Sequence, residues 1–157
     1  IYDAIRDGSG FFQHGHTYIA HPTASAAAGA VLEKLTTGGL TERSADMGTK
    51  LRAALDTAFG QHPYVGDIRG RGLFLGLEIV EDRTSKEPFD PGRAINKKIK
   101  AAAFEAGLAC YPMGGTLDGK RGDHVLLAPP FIMTDAHVDE VIGKLGQAFD
   151  HVFGAVG

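Results

Sequence analysis

Apolar residues recur with helical spacing in four segments of the chain. An alanine-rich run follows His21-Pro22 and continues to Gly38-Gly39, and residues 41–59 carry apolar side chains along one helical face. Proline is well tolerated in the first turn of a helix, where its missing N–H leaves no bond unmade, and glycine commonly ends a helix. The pattern therefore predicts one helix that begins at Pro22 and a second over 41–59.

Two further helices are predicted in the second half of the chain. The third begins at Asp90-Pro91, where an acidic cap precedes a proline, and stops at Gly107. The fourth begins at the Thr134-Asp135 cap and repeats apolar residues every three or four positions.

The strand pattern is clearest in "DIRGRGLFLGLEIV", residues 67–80, which we predict to be one strand. Shorter strands are predicted at 108–111 and 124–128, the second ending before two prolines that cannot donate to a sheet. Within 67–80, period-two alternation places four apolar side chains on one face: Leu73, Leu75, Leu77 and Ile79.

The order of these elements predicts an α+β fold, with helices on one face of a small antiparallel sheet. Residues 60–157 supply that unit, and residues 1–59 supply two helices that it does not need. We expect 1–40 to be the trailing end of an earlier, larger domain, 41–59 a connecting helix and 60–157 a small C-terminal domain. Because the sequence begins at Ile1 without a methionine, we interpret it as a fragment of a longer protein.

Composition narrows the class of protein further. The 157 residues are 43% apolar with a net charge of −3, and the charges are scattered. The sequence has neither a basic stripe for nucleic acid nor an apolar run near the ~20 residues of a membrane span. Its one cysteine, Cys110, cannot form an internal disulfide, so we expect a reducing cytoplasm and interpret this residue as a small buried apolar one.

Three histidines crowd the segment "HGHTYIAH", residues 14–21. His14, His16 and His21 would suffice for a zinc site, but no carboxylate lies nearby in sequence to orient their rings. We therefore assign no metal and interpret the histidines as structural. A phosphate bound by donors around Gly15 and Thr17, just ahead of a helix N-terminus, stays open beside an ordinary loop.

Other candidate chemistry is ambiguous from the residues alone. Arg69 and Arg71 in "RGRGLF" could clamp a carboxylate or be solvated, and the same holds for Lys120 and Arg121 in the glycine-rich loop 112–123. The sequence contains no GxSxG motif, no cysteine with an evident partner and no paired carboxylates, so a nucleophile constellation is not indicated.

Four segments in order resemble the carboxy-terminal part of class III aminotransferases: "FFQHGHTYIAHPTASAAA", "VGDIRGRGLFLGLEIV", "FEAGLACYP" and "GDHVLLAPPFIMT". These pyridoxal-phosphate enzymes have fold type I and include omega-amino acid:pyruvate transaminases. The resemblance covers essentially the whole chain. It implies a pyridoxal 5'-phosphate cofactor, a homodimer whose cofactor site is shared between subunits, and small-molecule amine and keto acid substrates.

The resemblance also implies site residues. Thr17 would hydrogen-bond the cofactor phosphate of the neighbouring subunit, with His16 and Tyr18 as cofactor-binding neighbours. Family members often bind the substrate carboxylate with an arginine near the strand before the Pro-Pro pair. That strand has none here, and Arg121 is the nearest candidate for substrate binding.

The family's cofactor-binding lysine lies ahead of the segment that this sequence matches, and none of the eight lysines stands in the expected context. We therefore expect no catalytic residue in this chain and no activity from it alone. The implied function of the intact, cytoplasmic, dimeric protein is transfer of an amino group from an amine or omega-amino acid to a keto acid such as pyruvate. An aminomutase or racemase-like relative, and a non-catalytic binding or oligomerisation module, remain open alternatives.

Overall fold

A computed structural model describes residues 1–12 and 15–154 of the chain, which divides into two compact units. The first is Ile1–Gly38 and the second Gly39–Gly157. The division groups the predicted connecting helix with the sheet rather than leaving it between two units. That the units are pieces of a large and a small enzyme domain stays a prediction.

The first unit contains two helices, α1 (Tyr2–Asp7) and α2 (Pro22–Thr37). Helix α2 begins at Pro22 as predicted, and the Gly38 N–H closes its end by donating to the Lys34 carbonyl over 3.0 Å. No side chain of either helix is buried.

The second unit is a four-stranded antiparallel sheet with the strand order β1-β2-β4-β3. Two helices pack on the sheet and a third packs on both of them, so the predicted α+β class is confirmed. The strands are β1 (Val65–Arg71), β2 (Phe74–Ile79), β3 (Tyr111–Gly114) and β4 (Asp123–Leu127), and the helices are α3 (Leu40–Phe59), α4 (Ile95–Glu105) and α5 (Asp135–Phe153).

The core lies between the helices and one face of the sheet. The alternation predicted for β2 is confirmed, because Leu75, Leu77 and Ile79 are all buried while Phe74 is exposed. The helices contribute their apolar stripes to the same cluster: Leu51, Leu55, Ile99, Leu145 and Phe149.

The prediction of a single strand over 67–80 was wrong. Gly72 and Leu73 form a two-residue turn that folds the segment into the β1–β2 hairpin. Gly72 has a φ of 55°, a conformation that glycine adopts without strain. The buried face of Gly48 in α3 meets this turn, since a Cβ added at Gly48 would stand 2.3 Å from the Gly72 carbonyl carbon.

Two other boundaries differ from the prediction. Asp90 caps a single 3-10 turn, Pro91–Arg93, and α4 begins only at Ile95, after Ala94 in a left-handed conformation (φ 50°). The strand predicted at 108–111 runs instead over Tyr111–Gly114, where it pairs with β4. The other three predicted helices are confirmed.

The two edges of the sheet are both irregular. The β1 register shifts between Val65 and Asp67, and the Lys86 ammonium donates to the Gly66 carbonyl at that point. The opposite edge is β3, which spans four residues and includes Pro112. In the described part of the chain, no helix combines the length and the apolar character that crossing a bilayer requires.

Candidate functional site

The segment ahead of α2 folds into two consecutive tight turns. The Ile19 N–H donates to the His16 carbonyl over 3.0 Å, and the His21 N–H donates to the Tyr18 carbonyl over 3.1 Å. Between them Ala20 has a φ of 56°, in the left-handed region that non-glycine residues seldom occupy. The chain therefore reverses sharply between His16 and the helix.

The side chain of His21 closes the start of α2. Its Nδ1 accepts the Ala24 N–H over 3.3 Å, which makes His21 the N-cap of the helix. The Tyr18 ring meets the His21 ring edge-on, with 6.3 Å between ring centroids and an 86° angle between planes. The sequence predicted where the helix starts, but did not reveal that the histidine itself is the capping group.

Thr17 lies on the first of these turns with its side chain exposed. Within the described residues, neither its hydroxyl nor its N–H takes part in a hydrogen bond. Gly15 leaves open space beside it, since a Cβ built there meets no heavy atom within 4 Å. A phosphate is bound by short hydroxyl and amide donors of this kind, so these residues fit the phosphate group of pyridoxal phosphate.

His16 and Tyr18 are brought together with Thr17 by the same turn, and both side chains are exposed. Their carbonyl groups hold the turn, as described above, so both residues shape the position of Thr17. His14, which completes the histidine trio considered for zinc, lies outside the described residues. Among the described residues no group of three or more potential metal ligands occurs.

Arg121 lies in the second unit, on the loop between β3 and β4. Its Nε donates to Asp118 over 2.9 Å, and its Nη1 stands 3.9 Å from a Glu87 carboxylate oxygen. The Arg121 N–H, the Arg121 guanidinium and the Lys120 N–H together hold the pKa of Asp118 at about 2. The guanidinium is half exposed but already faces two carboxylates, a partnership that the sequence reading missed.

Two further candidates, Arg69 and Cys110, make contacts that indicate a structural role. Arg69 pairs with Asp67 and Glu78, at 2.8 and 3.0 Å, on the outer face of the sheet. Cys110 is partly buried against the core, and this burial raises the pKa of its thiol. A raised pKa disfavours the reactive thiolate, which agrees with the interpretation of Cys110 as a small apolar residue.

Known proteins resemble this chain along nearly all of its length. Residues 1–149 match the family described as Aminotransferase class-III. The uncharacterized aminotransferase C1771.03c of Schizosaccharomyces pombe is 46% identical over 148 residues, which are 94% of this chain and 31% of that protein. The chain thus spans about a third of the length of this relative.

Solved structures agree with the sequence comparison. An omega-aminotransferase from Paracoccus denitrificans superposes with a TM-score of 0.82 at 32% identity, over 99% of this chain and 32% of that one. A PLP-bound aminotransferase mutant from Vibrio fluvialis gives a TM-score of 0.81 at 32% identity, over 97% and 32%. The family match, the relative and the solved structures are all aminotransferases. This chain therefore belongs to the class III aminotransferases, whose members depend on pyridoxal phosphate.

Proposed function

We propose that the complete enzyme containing this chain transfers an amino group from an amine or omega-amino acid to a keto acid such as pyruvate, using pyridoxal phosphate. Family membership supports the reaction class. The observation that carries the proposal for these residues is the Thr17 turn, which presents an exposed hydroxyl and an N–H that bond to no described residue. The bound cofactor supplies an electron sink for the chemistry at the substrate carbon.

Thr17 is the proposed phosphate ligand. Its hydroxyl would donate to a phosphate oxygen, and a hydrogen bond to a charged group is stronger than one between neutral groups. His16 and Tyr18 flank it and would line the cofactor while their carbonyls keep the turn closed. The lysine that carries the cofactor is proposed to lie outside these 157 residues, so the chain contributes phosphate binding rather than the reacting amine.

The assembly and its domains follow from the same hypothesis. In a homodimer, Thr17 would reach the phosphate of the partner subunit's cofactor, so each site would need both subunits. Residues 1–40 would complete the large domain, 41–59 connect it, and 60–157 form the small domain, in a cytoplasmic enzyme. Arg121 is proposed to take the substrate carboxylate, in competition with Asp118 and Glu87, which already face it.

Replacing Thr17 tests the phosphate contact. Thr17→Val keeps the shape and removes the hydroxyl, so pyridoxal phosphate should bind about 10- to 100-fold more weakly to the complete enzyme. Thr17→Ser keeps the donor and should bind nearly as well as the native enzyme. Pyridoxal, which has no phosphate, should bind all three proteins equally. Equal affinity of the valine variant and the native enzyme for pyridoxal phosphate would remove the proposed contact.

Activity assays separate the reaction classes. We expect pyruvate to be converted to alanine only when an amine donor is present, whereas an aminomutase would form product without a second substrate. Mixed dimers test the shared site. One Thr17→Val subunit paired with a subunit that lacks the cofactor-binding lysine should keep one complete site, and it should be more active than the pair that carries both changes in one subunit. Equal activity of the two pairs, or higher activity of the second pair, would contradict a site built from both subunits.

Arg121→Gln tests the carboxylate assignment. If Arg121 binds the substrate carboxylate, the KM for an omega-amino acid should rise while the KM for an amine without a carboxylate stays unchanged. Equal changes for the two donors, or no change, would show that the Asp118 pair is the main role of this arginine.

A further inference from the structure

The turn between Thr17 and α2 contains a conformation that is unfavourable on its own. Ala20 has a φ of 56°, and an L-residue with a Cβ in the left-handed region carries roughly 1–2 kcal/mol of strain. Such residues persist only where the surrounding structure holds them. Something around Ala20 must therefore stabilise the turn.

His21 makes three contacts that hold this turn. Its N–H donates to the Tyr18 carbonyl, and its carbonyl accepts the Ser25 N–H over 2.9 Å, the first bond of the helix. Its Nδ1 accepts the Ala24 N–H over 3.3 Å. Residue 21 is thus joined through its backbone to the turn that contains Tyr18, and through both backbone and side chain to α2.

We propose that His21 is a positioning residue for phosphate binding: its side-chain cap on α2 fixes the strained turn and thereby holds Thr17 in place. The inference rests on the proposed function of Thr17. His21 itself needs no contact with the cofactor. Because Nδ1 acts as an acceptor, the imidazole works here as a helix cap, a task that asparagine also performs well.

Three variants of the complete enzyme separate the cap from the ring contact. His21→Ala removes both the Ala24 acceptor and the contact with Tyr18. His21→Phe keeps an aromatic ring beside Tyr18 but has no acceptor. His21→Asn has no ring but supplies a carbonyl oxygen that can cap the helix. The alanine and phenylalanine variants should bind pyridoxal phosphate about fivefold more weakly, as expected for a lost N-cap, and the asparagine variant should be close to native.

Coupling to Thr17 distinguishes positioning from a general loss of structure. In a Thr17→Val background the phosphate ligand is already gone, so adding His21→Ala should weaken pyridoxal phosphate binding no further. Pyridoxal should bind every variant alike. In the cofactor-free enzyme, amide hydrogen exchange over residues 23–26 should speed up in the alanine and phenylalanine variants and remain native in His21→Asn.

Several results would overturn the inference. These are native affinity in His21→Ala, affinity in His21→Asn as weak as in His21→Ala, or a full additional fivefold loss in the Thr17→Val background. The proposed function fails in a different way, when Thr17→Val itself does not discriminate between pyridoxal phosphate and pyridoxal. A strong Thr17→Val effect with a silent His21→Ala would leave Thr17 as the ligand and remove only the role of His21.

Discussion

The two units differ in where their apolar residues lie. Neither helix of Ile1–Gly38 has a buried residue, and Val31 and Leu32 of α2 are about 60% exposed. The unit Gly39–Gly157 buries leucines of both helices and strands completely, among them Leu77 and Leu145. The proposed phosphate contact lies in the first unit, whose two helices bury no residue, whereas the proposed substrate-binding residue Arg121 lies in the core-bearing unit Gly39–Gly157.

We therefore expect the stability of the chain and the proposed phosphate contact to depend on different segments. A residue such as Thr17 can be exchanged without disturbing a packed interior, because its turn is held by local hydrogen bonds. A buried residue in the sheet or its covering helices cannot.

Matched leucine truncations should give the largest difference. Leu145→Ala opens a cavity at a fully buried position and should lower the free energy of unfolding by about 2–5 kcal/mol. Leu32→Ala removes the same atoms from an exposed position and should change it by less than about 0.5 kcal/mol. Chemical denaturation of the 157-residue chain measures both, and similar losses from the two variants would contradict the contrast.

Matched glycine replacements should have an intermediate effect. Gly48→Ala forces a methyl group against the backbone of Gly72, at 2.3 Å, and overpacking of this kind costs about 1–3 kcal/mol. Gly143→Ala, also in a helix, meets no heavy atom within 4 Å and should stabilise by about 0.5–1 kcal/mol through helix propensity. Thermal unfolding should therefore shift in opposite directions, and stabilisation by both would show that the turn yields easily.

The stability of the chain should depend on the protonation of His62. Burial lowers the pKa of His62 below its ordinary 6.5, although the charge of Asp150 acts in the opposite direction. Its Nδ1 accepts the Tyr64 N–H over 3.2 Å, and its Nε2 is buried with no partner among the described residues. The unfolded chain thus binds a proton here more readily than the folded one, so stability should fall as the pH drops below 6.5.

His62→Phe checks this assignment. The variant keeps an aromatic ring against Phe149 and Phe153 but cannot bind a proton. Because phenylalanine cannot accept the Tyr64 N–H, the free energy of unfolding should differ from that of the native chain by a constant amount at every pH. Its decrease below pH 6.5 should be less steep. An unchanged slope between pH 5 and 8 in urea titrations would assign the acid sensitivity to other groups.

Arg121→Gln should have the smallest effect on stability. The Asp118–Arg121 pair is exposed, and exposed ion pairs contribute little. The denaturation midpoint should stay where it is, while the pKa of Asp118 rises from about 2 part of the way towards its ordinary 3.8. The rise is partial because the N–H groups of Arg121 and Lys120 remain. An NMR titration of the Asp118 carboxyl measures it, and an unshifted value would show that the backbone alone sets the pKa.

Local signals were sufficient where one segment determines its own structure. Three features were predicted correctly: the start of α2 at Pro22, the Thr134 cap of α5 and the alternation in β2. Helix caps and periodicity depend only on residues that are close in sequence. The β1–β2 hairpin was missed, because Leu73 in the turn happens to be buried and so continues the alternation of the strand that follows.

Other boundaries depend on distant residues. An aspartate followed by proline marks the first turn of a 3-10 helix as well as that of an α-helix, so Asp90 could not reveal the break at Ala94. The position of β3 is set by its pairing with β4. Pro112 and Gly114 are residue types that are uncommon in strands, so the sequence of this segment is more typical of a loop. At the candidate site, the sequence indicated Thr17 and the neighbouring histidines. The role of His21 as a helix cap and the partners of Arg121 could be found only in the three-dimensional structure.

The irregular edges of the sheet have a consequence for how this unit behaves at high concentration. An exposed strand edge with regular N–H and C=O groups is a template on which another chain can add a strand. Here one edge is kinked by the shifted register at Val65–Asp67 and blocked by Lys86, and the other is short and lacks a donor at Pro112. Both borders therefore resist fibril-like growth, although the sheet itself is rich in β-branched and leucine side chains.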